Sequence, residues 1–300
     1  MISCYRHLII NYIYLLMADN YLEQRMEDMR SGKLRGSSAS QAAGQSPRKG
    51  YLQITFPPRR VVVTGGVNGI GLAITRSFLQ LGCKVAVFDK DVAGEEMARR
   101  EGIRFYRVDL RDAEAVERAF LDLLHAWRDV DIVINNAGVS IFKPLEESDV
   151  TYFDMVMNIN VRPMFIIANL WAKHKKQYPI PSDYGGRMIN ITSTRHIQSE
   201  AGTEGYSASK GAIASLTHAL MMSLSEFGIT VNCISPGWIH TGDDSELREE
   251  DHLQHPSRRV GKPEDIARAC VFLSTPGNDF INGADLVIDG GMTRKMIYIP

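Results

Sequence analysis

From residue 60 onward, short β-branched runs alternate with longer stretches of helical period. Arg60–Val63 reads RVVV and stops at a glycine cluster, the mark of a buried strand. Similar runs recur at Lys84–Phe88, Ile103–Val108, Asp131–Ile134, Met188–Thr192, Thr230–Ile234 and Leu286–Ile288. Between them the apolar spacing predicts helices over 70–81, 92–100, 113–127, 149–176, 206–227 and 263–274. The first is closed by Gly82, and the last carries Pro263 in its first turn. Strictly alternating strands and helices predict one α/β domain over residues 58–300, a doubly wound parallel sheet covered by helices on both faces. Ligands of such sheets sit outside the carboxyl ends of the strands, so the chemistry is sought just after each strand.

Residues 1–57 break the pattern. The apolar run Leu8–Ala18 spans eleven residues, against about 20 for a membrane-crossing helix, and no small-x-small cleavage site follows it. Met17, where the chain turns from apolar to charged, is a candidate start. NYLEQRMEDMR (20–30) reads as a short helix, and the Gly/Ser/Ala stretch 31–47 reads as a linker with no apolar face to bury. The extension is expected to be partly disordered and dispensable for cofactor binding and catalysis.

Composition narrows the function classes. Of 300 residues, 44% are hydrophobic and 23% charged, and 34 basic against 35 acidic side chains give a net charge of −1. That excludes a wholly disordered chain and gives no electrostatic footprint for nucleic acid. Cysteines at 4, 83, 233 and 270 form no C-x-x-C pair. They suggest neither a disulfide framework nor a metal site, and they fit a reducing, cytoplasmic setting.

Two local patterns carry chemistry. Thr64-Gly-Gly-Val-Asn-Gly-Ile-Gly71 follows the first strand and opens the first helix. Glycines 65, 69 and 71 permit a tight turn and close backbone approach to a pyrophosphate, which the helix N-terminus favours. Asp89 ends the next strand, where a carboxylate accepts from ribose hydroxyls and repels a 2′-phosphate. The loop predicts NAD, with Lys90 leaving room for NADP. The second pattern is Tyr206-Ser-Ala-Ser-Lys210, whose i, i+4 spacing puts phenol and ammonium on one helix face. A neighbouring ammonium is expected to lower the phenol's pKa and make it a usable acid/base. Ser193, at the end of the fifth strand, offers a hydroxyl to a reacting oxygen.

With these residues in place, the chain from about Arg59 to Met292 resembles the short-chain dehydrogenase/reductase family. The matching motifs are TGGVNGIG (64–71), VDL (108–110), NNAG (135–138), Asn160 in VMNINV, Ser193 in INITS, YSASK (206–210), NCISPGWIHT (232–241), GKPEDIA (261–267) and DGG (289–291), in the family's order. The resemblance implies a seven-stranded Rossmann domain and NAD(P)-dependent interconversion of an alcohol and a carbonyl. It makes Tyr206 the acid/base, Lys210 its partner and a ligand of the nicotinamide ribose, and Ser193 the donor to the substrate oxygen. Asn160 becomes a helix-bending residue holding a water in a relay to Lys210. For the cofactor it implies Gly65, Asn68, Gly69, Ile70 and Gly71 at the phosphates and Asp89 at the ribose. Asp109 and Leu110 then meet adenine, with Asn136, Ala137 and Gly138 alongside. Pro236, Gly237, Ile239 and Thr241 close on the nicotinamide end. Asn135 reads as a sheet-stabilising residue and DGG as structural.

Several positions depart from the family pattern. Pro163 stands where small residues are usual and predicts a kink just after Asn160. Arg195-His196 likewise replaces small residues. Arg195 either meets an anionic substrate or pairs with Glu200 or Glu204. The acidic stretch 241–256 is short, which favours a small polar substrate over a long acyl chain or steroid, although a solvated mobile loop fits it equally. The leading expectation is an NAD(H)-dependent dehydrogenase of a sugar, polyol or similar alcohol. The alternatives are a 3-oxoacyl carrier-protein reductase using NADPH and an NAD-binding sensor without turnover. A homotetramer or homodimer is expected from apolar residues on two helices: Met155, Phe165, Ile166, Leu170 and Trp171 on one, and Leu216, Leu220, Met221 and Leu224 on the other.

Overall fold

The computed structural model describes residues 55–179 and 182–296. The expected N-terminal apolar run, short helix and linker lie outside the described residues. Seven strands, β1 (Arg60–Thr64), β2 (Lys84–Asp89), β3 (Arg104–Arg107), β4 (Ile132–Asn135), β5 (Gly186–Ile191), β6 (Ile229–Pro236) and β7 (Asp285–Ile288), form one sheet in the order β3-β2-β1-β4-β5-β6-β7. Every pairing is parallel. The helices are α1 (Gly69–Gln80), α2 (Ala93–Glu101), α3 (Ala113–Trp127), α4 (Val150–Asn160), α5 (Arg162–Gln177), α6 (Glu204–Leu224), α7 (Glu249–Leu253) and α8 (Pro263–Leu273). The fold is the expected doubly wound Rossmann type.

β1 shows why its sequence is uniformly apolar. Val61 and Val63 join Ile74 and Phe78 of α1 and Ile266 and Cys270 of α8 in one core layer. Val62 faces the opposite layer, with Phe120 of α3, Trp171 of α5 and Leu224 of α6. A strand covered on both faces has no polar side to alternate with.

The edge where the strands begin is pinned by ions. Arg60 donates to both carboxylate oxygens of Asp131, Nη2 to Oδ1 at 2.7 Å and Nε to Oδ2 at 2.9 Å. Both the bidentate bond and the nearby carboxylate charges raise the guanidinium's pKa. Beside it Lys175 Nζ lies 2.7 Å from Oδ2 of buried Asp129, which also accepts from the Trp171 indole at 3.4 Å.

The expected single helix over 149–176 is two helices. α4 ends at Asn160 and α5 begins at Arg162, with Pro163 in its first turn, where the missing N–H costs nothing. The stretch after Thr241 is folded rather than a bare loop. A 3-10 turn (Asp244–Glu246) precedes α7, whose Asp251 is buried and accepts from Arg248 N–H at 3.0 Å and its guanidinium at 2.9 Å. Of the apolar helix residues assigned to subunit contacts, Trp171, Leu220 and Leu224 are buried in this chain's own core, and Ile166, Leu170, Leu216 and Met221 pack against it. Phe165 stays exposed, as do Val150, Phe153 and Met222. Among the described residues no helix is long and apolar enough to cross a membrane, and no His/Cys/Asp/Glu cluster is arranged to hold a metal.

Candidate active site

A cleft of about 1200 Å³ opens at the carboxyl ends of the strands. It is lined by every residue named above for cofactor or catalysis except Asn160. Asn160 is buried behind it.

One half of the cleft is the loop between β1 and α1. Asn68 stands at the N-cap of α1 but makes no cap bond; its amide reaches Asp91 Oδ2 at 2.9 Å. The first-turn N–H groups are therefore left for a ligand. Side chains have no room here. A Cβ on Gly71 would fall 1.9 Å from the Gly65 carbonyl oxygen, and one on Gly65, where φ is +64°, would fall 2.9 Å from Ala137 Cα. Thr241 closes over the loop, 3.2 Å from where a Gly69 Cβ would stand. Asn136 locks the loop from β4, donating Nδ2 to the carbonyls of Thr64 and Gly65 at 3.0 Å each. The Thr64 hydroxyl accepts from the N–H groups of Asn136 and Ala137. The Asp89 carboxylate rims the cleft, accepting from Val67 N–H at 3.2 Å and Asp91 N–H at 3.1 Å. Asp109 is paired with Arg111, whose hydrogen bonds hold its pKa below the usual carboxylate range. A dense backbone cradle, free helix N–H groups and a rim carboxylate fit the pyrophosphate and ribose of a dinucleotide.

The other half gathers Ser193, Tyr206 and Lys210. The β5 strand delivers Ser193 at its exit, while α6 presents Tyr206 and Lys210 one turn apart. Lys210 is buried and donates Nζ to the Ile191 carbonyl at 2.9 Å, with Nζ 5.5 Å from the Tyr206 ring centre. Burial pushes its pKa down to about 8. The sequence-based expectation that Lys210 lowers the phenol's pKa does not describe this geometry. Burial raises the Tyr206 pKa, and the hydroxyl of Ser193, the charge of Arg195 and the hydroxyl of Ser140 oppose the rise. The ammonium is turned to a backbone carbonyl, so burial dominates the phenol.

Asn160 sits at the joint between α4 and α5. Its Oδ1 accepts from Val139 N–H at 2.8 Å, while Nδ2 donates to the Val139 carbonyl at 3.1 Å and to Ser209 Oγ at 2.9 Å. Asn135 bonds Asn190, and Asn190 bonds Thr217, so a buried polar chain crosses the ends of β4 and β5 to α6. Arg195 pairs with Glu200 at 2.7 Å and lies over the Phe142 ring. Asp289 of DGG accepts from Gly291 and Thr293 N–H groups, a turn. Sequence reasoning missed Ser140, Phe142, Gln198, Ser199, Trp238, Gln254 and Met292 in the lining. Phe142 packs edge-on against Tyr206 at 5.8 Å. Ser140 had a signal, a hydroxyl two residues after the NNAG turn; the others had none.

The sheet order, glycine cradle and Ser/Tyr/Lys cluster define an NAD(P)-dependent oxidoreductase of the Rossmann type. Comparison with known proteins agrees. The family model for enoyl-(acyl carrier protein) reductase matches residues 65–293. An uncharacterised oxidoreductase of Thermotoga maritima is 40% identical over 252 residues, covering 79% of this chain and 96% of the relative. An L-fucose dehydrogenase of Oryctolagus cuniculus is 33% identical over 77% of this chain and 84% of its own length. A structure of ElxO with NADP bound superposes with a TM-score of 0.72 at 26% identity, covering 79% of this chain and all of that one. The chain belongs to the short-chain dehydrogenase/reductase family.

Proposed function

We propose that this enzyme oxidises a small polar alcohol, of the sugar or polyol kind, to its carbonyl with NAD as the acceptor, and runs the reverse reaction with NADH. The carrying observation is that Ser193, Tyr206 and Lys210 meet in the same cleft as the glycine cradle and Asp89. The nicotinamide cofactor supplies the hydride acceptor when bound. It would be held by Gly65, Asn68, Gly69, Ile70 and Gly71 at the phosphates, Asp89 at the ribose and Asp109 and Leu110 at the adenine. Asn136, Ala137, Gly138, Pro236, Gly237, Ile239 and Thr241 would lie along its length, and Lys210 at the second ribose. In oxidation, the Ser193 hydroxyl holds the substrate oxygen while Tyr206, having passed its own proton to the relay, takes the alcohol proton as phenolate; in reduction the Tyr206 phenol gives that proton to the substrate oxygen. Asn160 would hold a water that links Lys210 to solvent, replenishing the phenol's proton.

Two observations support a small polar substrate. The substrate end of the cleft carries Ser140, Gln198, Ser199, Glu200 and Gln254, and the segment over it is short. The sugar-acting relative points the same way. Asp89 supports NAD over NADP, because its carboxylate would repel the 2′-phosphate of NADP. A second reading, an NADPH-dependent 3-oxoacyl carrier-protein reductase, is supported by a relative of that name from Chlamydia trachomatis, 29% identical over 78% of this chain, and by the neighbour with NADP bound. We place the enzyme in the cytoplasm, since buried free thiols at Cys83, Cys233 and Cys270 suit a reducing compartment. We assign it a homodimer or homotetramer joined through exposed Val150, Phe153 and Phe165, for which light scattering is the check.

The test is one screen over glycerol, xylitol, L-fucose, hydroxy acids, hydroxysteroids and 3-oxoacyl thioesters, each with NAD(H) and NADP(H). Turnover of a polyol or sugar with NAD is expected. Faster turnover of a thioester with NADPH would replace this reading by the second.

A further inference from the structure

Behind Ser193 lies a cluster that the proposed chemistry leaves unused. The residue at 196, small in the family pattern, is here a histidine in the 3-10 turn Thr194–His196. Its ring Nδ1 is 2.6 Å from the Ser193 carbonyl oxygen, and its own N–H reaches the same oxygen at 3.2 Å. A carbonyl only accepts, so Nδ1 carries a proton. The other ring nitrogen, Nε2, is 3.2 Å from Asp285 Oδ2, a carboxylate oxygen that also only accepts, so the ring bridges the two partners with a proton on each nitrogen, and Asp285 Oδ1 accepts from Ser235 Oγ at 2.5 Å. The ring is largely buried, with 13% of its side chain exposed. The Cys233 thiol also borders Asp285; its pKa is pushed up to about 12, by burial first and by that carboxylate second.

Three neighbouring strands thus contribute to one anchor. Asp285 begins β7, Ser235 lies in β6, and Ser193 leaves β5. The imidazole spans from Asp285 on β7 to the exit of β5 and grips the peptide that sets the Ser193 side chain. On the other side the Ser193 hydroxyl accepts from Arg195 N–H at 3.2 Å. The serine is therefore held at both its carbonyl and its hydroxyl. A carboxylate that orients an imidazole, which in turn fixes a functional group, is a recurring supporting arrangement.

We infer that His196, oriented by Asp285, is a positioning residue for Ser193, fixing its hydroxyl toward the substrate oxygen. This rests on the proposed reading of Ser193 as the donor to that oxygen. His196 touches neither substrate nor cofactor and acts through the Ser193 peptide. A misplacement of about 1 Å at such a donor is enough to cost up to 100-fold in rate.

The experiment uses the full-length chain and the fastest polyol or sugar of the screen, with Ser193→Ala, His196→Leu, His196→Asn and the Ser193→Ala/His196→Leu double variant. Asn carries its amide N–H about where Nδ1 stands, so it keeps the grip on the carbonyl; Leu does not. His196→Leu is expected to lower kcat about tenfold or more with KM and NAD affinity within about twofold, and His196→Asn to restore kcat to within about threefold. In the Ser193→Ala background His196→Leu should add nothing, because its target is gone. Nitrogen-15 spectra of the wild-type imidazole should show the proton on Nδ1, a readout that needs no turnover and no foldable variant.

Loss with Ser193→Ala but full kcat in His196→Leu would overturn the positioning role. So would equal loss in both His196 variants, additive loss in the double variant, or a bare Nδ1. Unchanged kcat in Ser193→Ala, or no turnover of any alcohol, would instead overturn the reading of the site on which the inference stands.

Discussion

The amide of Asn160 is bonded to both backbone groups of Val139, accepting from its N–H at 2.8 Å and donating to its carbonyl at 3.1 Å. Val139 follows the NNAG turn, so the residue that ends α4 also fixes the wall of the cleft beside Lys210. A Cβ on Gly138 would stand 3.3 Å from Asn160 Oδ1 and 3.6 Å from Lys210 Nζ, which shows how closely turn, amide and ammonium are packed. Asn160→Ala leaves the half-buried N–H and carbonyl of Val139 without their side-chain partner. It should lower unfolding stability by about 1–3 kcal/mol in urea titration, with turnover falling as well. A loss under about 0.5 kcal/mol would mean that water replaces the amide without cost.

Tyr206→Phe removes the phenol proton and little else, because the ring keeps its edge contact with Phe142. Turnover should drop by about 10²–10⁴-fold with NAD affinity by calorimetry nearly unchanged. Retention of more than about a third of kcat would remove Tyr206 from the chemistry.

Asp89 anchors Val67 N–H as well as facing the ribose site proposed above. Replacing it alone loosens the loop, so the informative variant adds a cation on the exposed neighbour Val92. Asp89→Ala with Val92→Arg should turn the preference from NAD toward NADP, read as the ratio of kcat/KM for the two. If the unaltered enzyme already favours NADPH at matched concentrations, the carboxylate does not set the choice.

Lys210 gives a pH signature. Its pKa is about 8 in the folded protein because burial penalises the ammonium, against about 10.4 in the unfolded chain. Below pH 8 both states hold the proton and the folded state carries the full penalty. Between about 8 and 10 the unfolded chain holds more protons, so stability rises with pH. Tyr206, raised by burial, works the other way only above about pH 10. Relative to Lys210→Met, the wild type should gain about 2 kcal/mol between pH 7.5 and 9.5 in denaturant titrations. A flat difference would show that the ammonium is solvated.

The sheet was legible because strands covered on both faces leave continuous apolar runs, as Val61–Val63 does. The glycine cradle was legible because it is contiguous in sequence, TGGVNGIG. The features that were not legible depend on partners far apart along the chain. The break after Asn160 was legible as a kink at Pro163, but the hold of the Asn160 amide on Val139 across the fold is stated nowhere in VMNINV. The raised phenol of Tyr206 follows from burial, whereas the spacing of YSASK suggests only nearness to Lys210. His196 looked like an odd residue beside Ser193 until the sheet brought Asp285 to it. α7 escaped notice because EEDHL has no apolar stripe; Asp251 holds its start through Arg248.

The ion pairs Arg60–Asp131 and Lys175–Asp129 lie where the strands begin, and every residue of the cleft lies where they end. Robustness and selectivity are thereby assigned to opposite rims of one sheet. A library that randomises 197–200 and 242–250, leaving His196, Ile239 and Thr241 in place, searches for new substrates without disturbing the charges that keep β1 and β4 in register. A library aimed at heat resistance belongs on the far rim, where the pairs should be kept whole, since stripping one member from a buried pair costs about 3–5 kcal/mol. Gains found separately at the two rims should combine additively in one chain, because no side chain is shared between them.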